Sequence, residues 1–552
     1  MGGLAFSSDS KGGLETPRMP PEVYNLVRQQ CVETLHALYS VVTVPVEGPE
    51  KKSHGDIDIM VAEPKALYQE QKSVSDNTLA GYTAKTDTSP LDAIIHLLNP
   101  ERALKTHAKD GDSANLAMPW PSHLLPSATD DTTDDTTSKI FESIQRSKKE
   151  NHHGKLYIQV DVRICSSAED LHWRAFKHAH GDIWNLLGTM IRPYGLTADE
   201  RGLTIRIEEM EKLSQKRSRV VLSNKPCDVL EFLGMDNYPP TSTARPELEN
   251  KGKVITGRLA NASIWPKQFP TIHEMYEYAA TCRMFWLKPE TPPNSPGQSD
   301  ENDEPPRGGI SHYTIESEGA PKKENLKSQD RRRMNMRPVF RKWIEQFLPS
   351  LREELSAKLA GSRAAKISAP VGNETEKRAN SSQTDQLVTN RHTDTSVESP
   401  SDEIKFPYPT SPVYTREEIR ALAFASFPGV QEKYESELAS WTNEQNTNAI
   451  KRGLKEWIPK REWQTVQWRG ECQGAFRRML FEGSEDFVFT ERDADPEYPL
   501  RNSRGVWSAE NVRRFVETHW EKVGERAGAW YGGLYREKLE AKTQKKAKDA
   551  AK

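Results

Sequence analysis

The sequence predicts an α+β protein, with a mixed β-sheet flanked by helices in the N-terminal part, followed by mainly helical domains and long polar linkers. Three observations carry this expectation. Short β-branched or alternating runs cluster before residue 223, and apolar residues at helical spacing dominate after Pro270. Three tracts, one within the N-terminal part and two after Pro270, hold too few apolar side chains to offset the entropy of ordering them. The 552 residues would suit three or four domains at roughly 150 residues each. With only 35% hydrophobic residues, 28% charged and a mean hydropathy of -0.78, part of that length is expected to be linker.

Pro20 and Pro21 precede Val23, Leu26, Val27, Cys31, Leu35 and Leu38, so Glu22 to Leu38 reads as a helix begun by proline. Strands are expected at Tyr39 to Val46, Ile57 to Val61 and Leu156 to Ile164. Asp182 reads as the N-cap of a helix carrying Ile183, Leu186, Leu187, Met190 and Ile191. Short strands at Leu203 to Ile207 and Arg219 to Leu222 and a helix at Asp228 to Leu233 complete a sheet domain over 1–235. A disordered insertion at about 73–139 interrupts it, ending in the acidic-polar tract Asp130 to Thr137 and including a short apolar helix at Leu91 to Leu98.

A helical extension over 236–350 follows, interrupted by a proline-rich linker at about 289–333, and a second linker spans 361–412. The helical C-terminal domain, 413–552, opens with a capping box at Thr415 and Glu418 and carries the stripe Val512, Phe515, Val516 and Trp520. Tryptophans crowd this part and read as helix-packing anchors rather than base-stacking platforms. The lysine-rich tail from Lys538 reads as a solvated helix, with weak phosphate binding as the other reading.

Lys and Arg total 77 against 80 Asp and Glu, a net charge of -3, which removes any global electrostatic case for nucleic-acid binding. The five cysteines lie far apart without a CxxC pair, so neither a zinc ribbon nor a disulfide framework is supported and a reducing compartment is the simpler reading. No run of about 18 apolar residues is present. No membrane partner is expected, and the localisation expected is intracellular, cytoplasm or nucleus.

The sharpest chemical feature is Ser53-His54-Gly55-Asp56-Ile57-Asp58-Ile59-Met60-Val61. On a strand, alternate side chains share a face, so Asp56 and Asp58 project together while Ile57 and Ile59 enter the core. With 80 acids in 552 residues such triplets recur by chance, as at Asp110-Gly111-Asp112 and Asp493-Ala494-Asp495. Apolar alternation, the preceding glycine and a second strand bearing one acid set this triplet apart. That strand is Leu156 to Ile164, where Asp161 shares the polar face with Gln159 and Arg163. Neighbouring carboxylates raise one another's pKa unless a divalent cation relieves them, and hard oxygen ligands suit Mg2+ or Mn2+.

This pattern resembles the nucleotidyltransferase superfamily with the DNA polymerase beta fold, shared with poly(A) polymerases and CCA-adding enzymes. The resemblance covers about residues 1–64 and 150–235. It implies a two-metal transfer of a nucleotide from an NTP to an acceptor hydroxyl, with Asp56, Asp58 and Asp161 as catalytic metal ligands. Gly2 and Gly3 would fill the family's phosphate-binding turn, although they stand far ahead of Asp56 where the family keeps a short spacing. Lys51, Lys52, Ser53 and His54 either meet phosphate oxygens or form a solvated loop. The acceptor is unspecified, RNA being one possibility, and a catalytically inactive scaffold of the same fold is the alternative. A zinc site at His172, His178 and His180 is disfavoured, because Cys165 is the only thiol nearby.

Overall fold

The computed structural model describes residues 3–7, 13–65, 89–107, 111–125, 135–149, 154–235, 267–287, 328–368, 408–482 and 496–550. The chain divides into two units, Met1–Ile205 with Val221–Phe427, and Arg206–Val220 with Pro428–Lys552. The described residues form a mixed α+β structure with two sheets and no helix long and apolar enough to cross a membrane.

The first unit is built on a five-stranded sheet. Its strands are β1 (Tyr39–Thr43), β2 (Ile57–Pro64), β3 (Arg102–Thr106), β4 (Ser113–Pro119) and β5 (Tyr157–Ile164), in the order β1-β2-β5-β4-β3. Only β2 and β5 pair in parallel; the other neighbours are antiparallel. A parallel pair needs a long crossover. Here the chain between β2 and β5 supplies α2 (Pro90–Leu98), the hairpin β3–β4 and α3 (Asp135–Lys149).

Period-two alternation gives the sheet one apolar face. Ile57, Ile59 and Val61 of β2, Ala114 and Leu116 of β4, and Ile158, Val160 and Val162 of β5 are all buried there. Against them pack α1 (Pro21–Leu35), through Val23, Val27, Cys31 and Leu35, and α2, through Leu91, Ile94 and Leu98. Proline at the start of α1 suits the first turn, where an N–H would lack a helical partner in any case. The Ser89 hydroxyl accepts from the Asp92 N–H to cap α2, which closes on left-handed Asn99. On the other face, Leu171 of α4 (Ala168–His178) covers Met60 and Ala62, and Phe6 covers Ala117 and Tyr157.

Three differences from the sequence reading stand out. The stretch 73–139 is not simply a disordered insertion: the short apolar helix expected there is present as α2, but Arg102–Thr106 and Ser113–Pro119, read as linker, supply two of the five strands. Edge strand β3, Arg-Ala-Leu-Lys-Thr, is polar because its residues are half-buried or exposed. Polar flanks diluted the apolar signal of β4, whose Ala114 and Leu116 are nonetheless fully buried. The second difference concerns β6 (Leu196–Asp199), β7 (Gly202–Arg206) and β8 (Arg219–Ser223), which form a separate sheet. The third is the domain boundary. The capping box of Thr415 and Glu418 is present, but its helix, Arg416–Ser426, belongs to the first unit, and the second resumes at Pro428.

Helices at Ile272–Ala280 and Pro338–Lys342 and the following turn at Trp343–Phe347 share an aromatic core in which Trp343 stacks on Phe347 at 4.8 Å. Most of 289–333 and of 361–412 lies outside the described residues, but 328–336 and 348–368 are helical. In the second unit, helices at Val430–Trp457, Val466–Arg477 and Ala509–Ala550 bury Ile450, Phe476, Val516 and Trp520. Trp468, Trp507 and Trp520 join or pack on that core, as expected of anchors, whereas Trp463 is 56% exposed.

Because Leu116 is fully buried on an interior strand, Leu116→Ala should cost about 2–5 kcal/mol in urea denaturation. A loss under about 0.5 kcal/mol, the usual surface value, would return this segment to a linker.

Candidate functional site

The parallel register of β2 and β5 builds the site. With Ile57 and Ile59 buried in the core, Asp58 turns to the opposite face with Met60, and Asp56, one residue before the strand, lies in the same alternation. On β5 the same alternation sends Val160 and Val162 inward and Asp161 outward. Asp58 pairs in register with Asp161, and Asp161 with Asn115 of β4. Neighbouring strands lie about 4.8 Å apart, so Asp58, Asp161 and Asn115 form one row across three strands.

Two of these carboxyls titrate unusually. Burial pushes Asp161 up to about 7, Asp58 and Asp56 add repulsion, and hydrogen bonds from Asn115 and Gln159 oppose the rise. Asn115 Nδ2 donates to Asp161 Oδ1 at 2.5 Å, and Gln159 Nε2 reaches Oδ1 and Oδ2 at 2.9 and 3.0 Å. Asp58 keeps solvent-accessible surface, yet the protein crowding it pushes its carboxyl up to about 6. Repulsion from Asp56 adds to this, while the positive ends of His178 and Lys51 oppose it.

A third carboxylate close by behaves in the opposite way. Burial would raise Glu47, but His54, Lys51 and Tyr24 outweigh it and hold the carboxyl down at about 2. Tyr24 Oη donates to Glu47 Oε1 at 2.7 Å and Lys51 Nζ to Oε2 at 2.5 Å. His54 Nδ1 stands 3.6 Å from Oε1, beyond hydrogen-bond reach.

The N-terminal segment closes one side of the row. Gly3 is buried with φ +81°, and a Cβ there would stand 2.5 Å from the carbonyl oxygen of Gly55, the residue before Asp56. Only glycine permits that approach. The glycine that the sequence leaves far from Asp56 is thus beside it in space. Gly2 lies outside the described residues. Ser53 is half-buried, and its hydroxyl accepts from Arg18 Nε at 2.9 Å.

His54 is 5% exposed, its ring stacks on Tyr24 at 3.9 Å and its backbone bridges to Met19, so it packs against α1 and is not part of a solvated loop. An aromatic neighbour thirty residues back in the chain, on α1, decided this. His172 and His178 are exposed and His180 is fully buried, so the three histidines do not converge. Asp182 occupies the N-cap position of the helix Ile183–Ile191, but its carboxylate pairs with Arg337 and accepts from Asn185 Nδ2 instead of capping the helix. Asn115, Gln159, Glu47 and Tyr24 were missed as site residues. Gln159 was legible as a same-face neighbour of Asp161, whereas Asn115 sat inside the stretch read as disordered.

Three neighbouring carboxylates, two of them pushed above the usual carboxylate range, are the hard oxygen donors that suit a divalent cation. Their arrangement is open: among the described residues no three His, Cys, Asp or Glu side chains converge closely enough to hold an ion. Asp161 instead rests on its two amide partners. No protein-family model matches this chain, and no curated protein matches it either.

Asp58 and Asp161 hold protons in the folded state up to about pH 6 and 7 and lose them near 3.9 when unfolded. Tighter proton binding by the folded chain means that this contribution to stability falls as pH rises from about 4 to 7. Metal-free Asp161→Asn should therefore gain stability relative to wild type between pH 5 and pH 8, read by urea denaturation at both. A difference that does not change with pH would mean that the site leaves Asp161 unperturbed.

Proposed function

We propose that this chain transfers a nucleotide from an NTP to an acceptor hydroxyl, using Mg2+ or Mn2+ bound by Asp56, Asp58 and Asp161. The observation that carries the reading is the register of β2 and β5, which sets Asp161 beside the Asp-x-Asp strand on its polar face. Bound cations would polarise the phosphoryl group and lower the pKa of the attacking hydroxyl. Asp56 and Asp58 would hold the cation that carries the triphosphate, and Asp161 would help to orient the acceptor and take its proton. Gly3, lacking a side chain beside Gly55, would border the place where phosphates lie, and Lys52, exposed in the loop before β2, is available to meet them. RNA is one candidate acceptor.

A second reading, an inactive scaffold with this same sheet, is favoured by the two amide donors that engage Asp161. Incubating the protein with each labelled NTP and Mg2+ or Mn2+, then examining RNA and protein products, separates the two. Incorporation is expected, and Asp56→Asn or Asp161→Asn should lower it by on the order of 10²-fold or more while leaving the thermal midpoint unchanged or higher. No incorporation from any NTP, with the fold intact, would select the scaffold.

A further inference from the structure

Gln159 lies two residues before Asp161 on the same strand and the same face, and is only 4% exposed. Buried amides of this kind are ordinarily satisfied on both ends, and which end faces which partner decides what they do. Here one end is settled by chemistry. The main-chain N–H of Ala5 points at Gln159 Oε1 at 2.9 Å, and a backbone N–H can only donate. The carbonyl of the amide must therefore face Ala5, which leaves Nε2 directed at both oxygens of Asp161. The usual ambiguity of a glutamine amide is removed by its neighbour.

Ala5 is itself fixed. Gly3 packs its backbone against Gly55, the Thr16 hydroxyl donates to the Gly3 carbonyl at 2.5 Å, and Phe6 is fully buried beside Ala117 and Tyr157. Leu14 N–H returns to the Phe6 carbonyl at 3.1 Å, and Tyr157 N–H bonds to the Glu15 carbonyl at 2.9 Å, tying the segment to β5. The N-terminal segment therefore reaches the acidic row twice, through Gly3 at Gly55 and through Ala5 at Gln159.

We infer that Gln159 is a positioning residue, which the N-terminal segment Gly3 to Phe6 orients through the Ala5 N–H, and which fixes the direction of the Asp161 carboxylate for cation binding. This inference rests on the cation-binding part of the reading above. Asn115 holds Oδ1 alone, so without Gln159 the carboxylate keeps one donor and can turn about it. Partners that orient a ligand from behind typically change metal affinity by about 10–100-fold when removed.

The test is Mn2+ binding to the full chain, followed by the electron paramagnetic resonance signal of free Mn2+, in wild type, Asp161→Asn, Gln159→Met and Gln159→Leu. Met matches the length and flexibility of Gln, so it would restore a purely space-filling role, while both variants remove the amide. The expected result is that wild type binds, Asp161→Asn binds poorly, and both Gln159 variants bind about 10–100-fold more weakly than wild type with a retained thermal midpoint. Hydrogen exchange at the Ala5 amide should speed up in both, since its acceptor is gone. Wild-type affinity in Gln159→Met, or in Gln159→Leu should Met prove unstable, overturns the inference and leaves the nucleotidyl-transfer reading standing. Absence of Mn2+ binding by wild type overturns both.

Discussion

The parallel pairing of β2 with β5 is the constraint on which the rest of the first unit depends. Side chains alternate strictly along a strand, so a slip of one residue would bring Val160 or Val162 to the polar face and drive Asp161 into the core. The burial of Ile57, Ile59, Val160 and Val162 against α1 and α2 prevents that slip. The apolar side of the sheet thereby sets the geometry of its acidic side. The crossover follows from the same pairing, because parallel neighbours cannot be joined by a tight turn. In this chain the crossover folds back as β3 and β4 and extends the sheet beyond β5, which is how Asn115 comes to stand beside Asp161.

Carboxylates in this small region separate into two kinds according to their neighbours. Glu47, in contact with Lys51 and Tyr24, stays ionised well below the usual range. Asp58 and Asp161 have other acids close by and no bonded cation, so burial and repulsion push them up. Glu47 draws α1 and the loop before β2 together, whereas the aspartates hold unfavourable charge where it can be relieved only by protons or by a cation. A fold stabilised on one face can carry that local cost on the other, a familiar feature of functional sites.

The N-terminal segment and the strand it serves are separated along the chain but joined in space. Gly3 has no side chain where the Gly55 carbonyl passes, and Phe6 fills the apolar patch at Ala117 and Tyr157 that would otherwise be open. Together these contacts cover the β4–β5 side of the polar face, as Leu171 of α4 covers the β2 side at Met60 and Ala62. The acids lie between the two covers.

What the sequence determined by itself is the local pattern. Proline and 3.6-residue spacing mark α1, two-residue alternation marks β2 and β5, and the same alternation assigns Asp56, Asp58, Asp161 and Gln159 to one kind of face. Where the apolar signal was short and its flanks polar, as at Ser113–Pro119, composition averaged it away, and a sheet strand read as linker. Local pattern is equally silent on partners: it cannot say that β5 lies parallel to β2, that Asn115 joins their row, that Gly3 meets Gly55, or that Tyr24 stacks on His54. Those facts arise from contacts between residues far apart in the chain. Tertiary structure alone decides them, because the free energy that selects them belongs to the packed assembly of sheet, helices and N-terminal segment and not to any stretch taken alone.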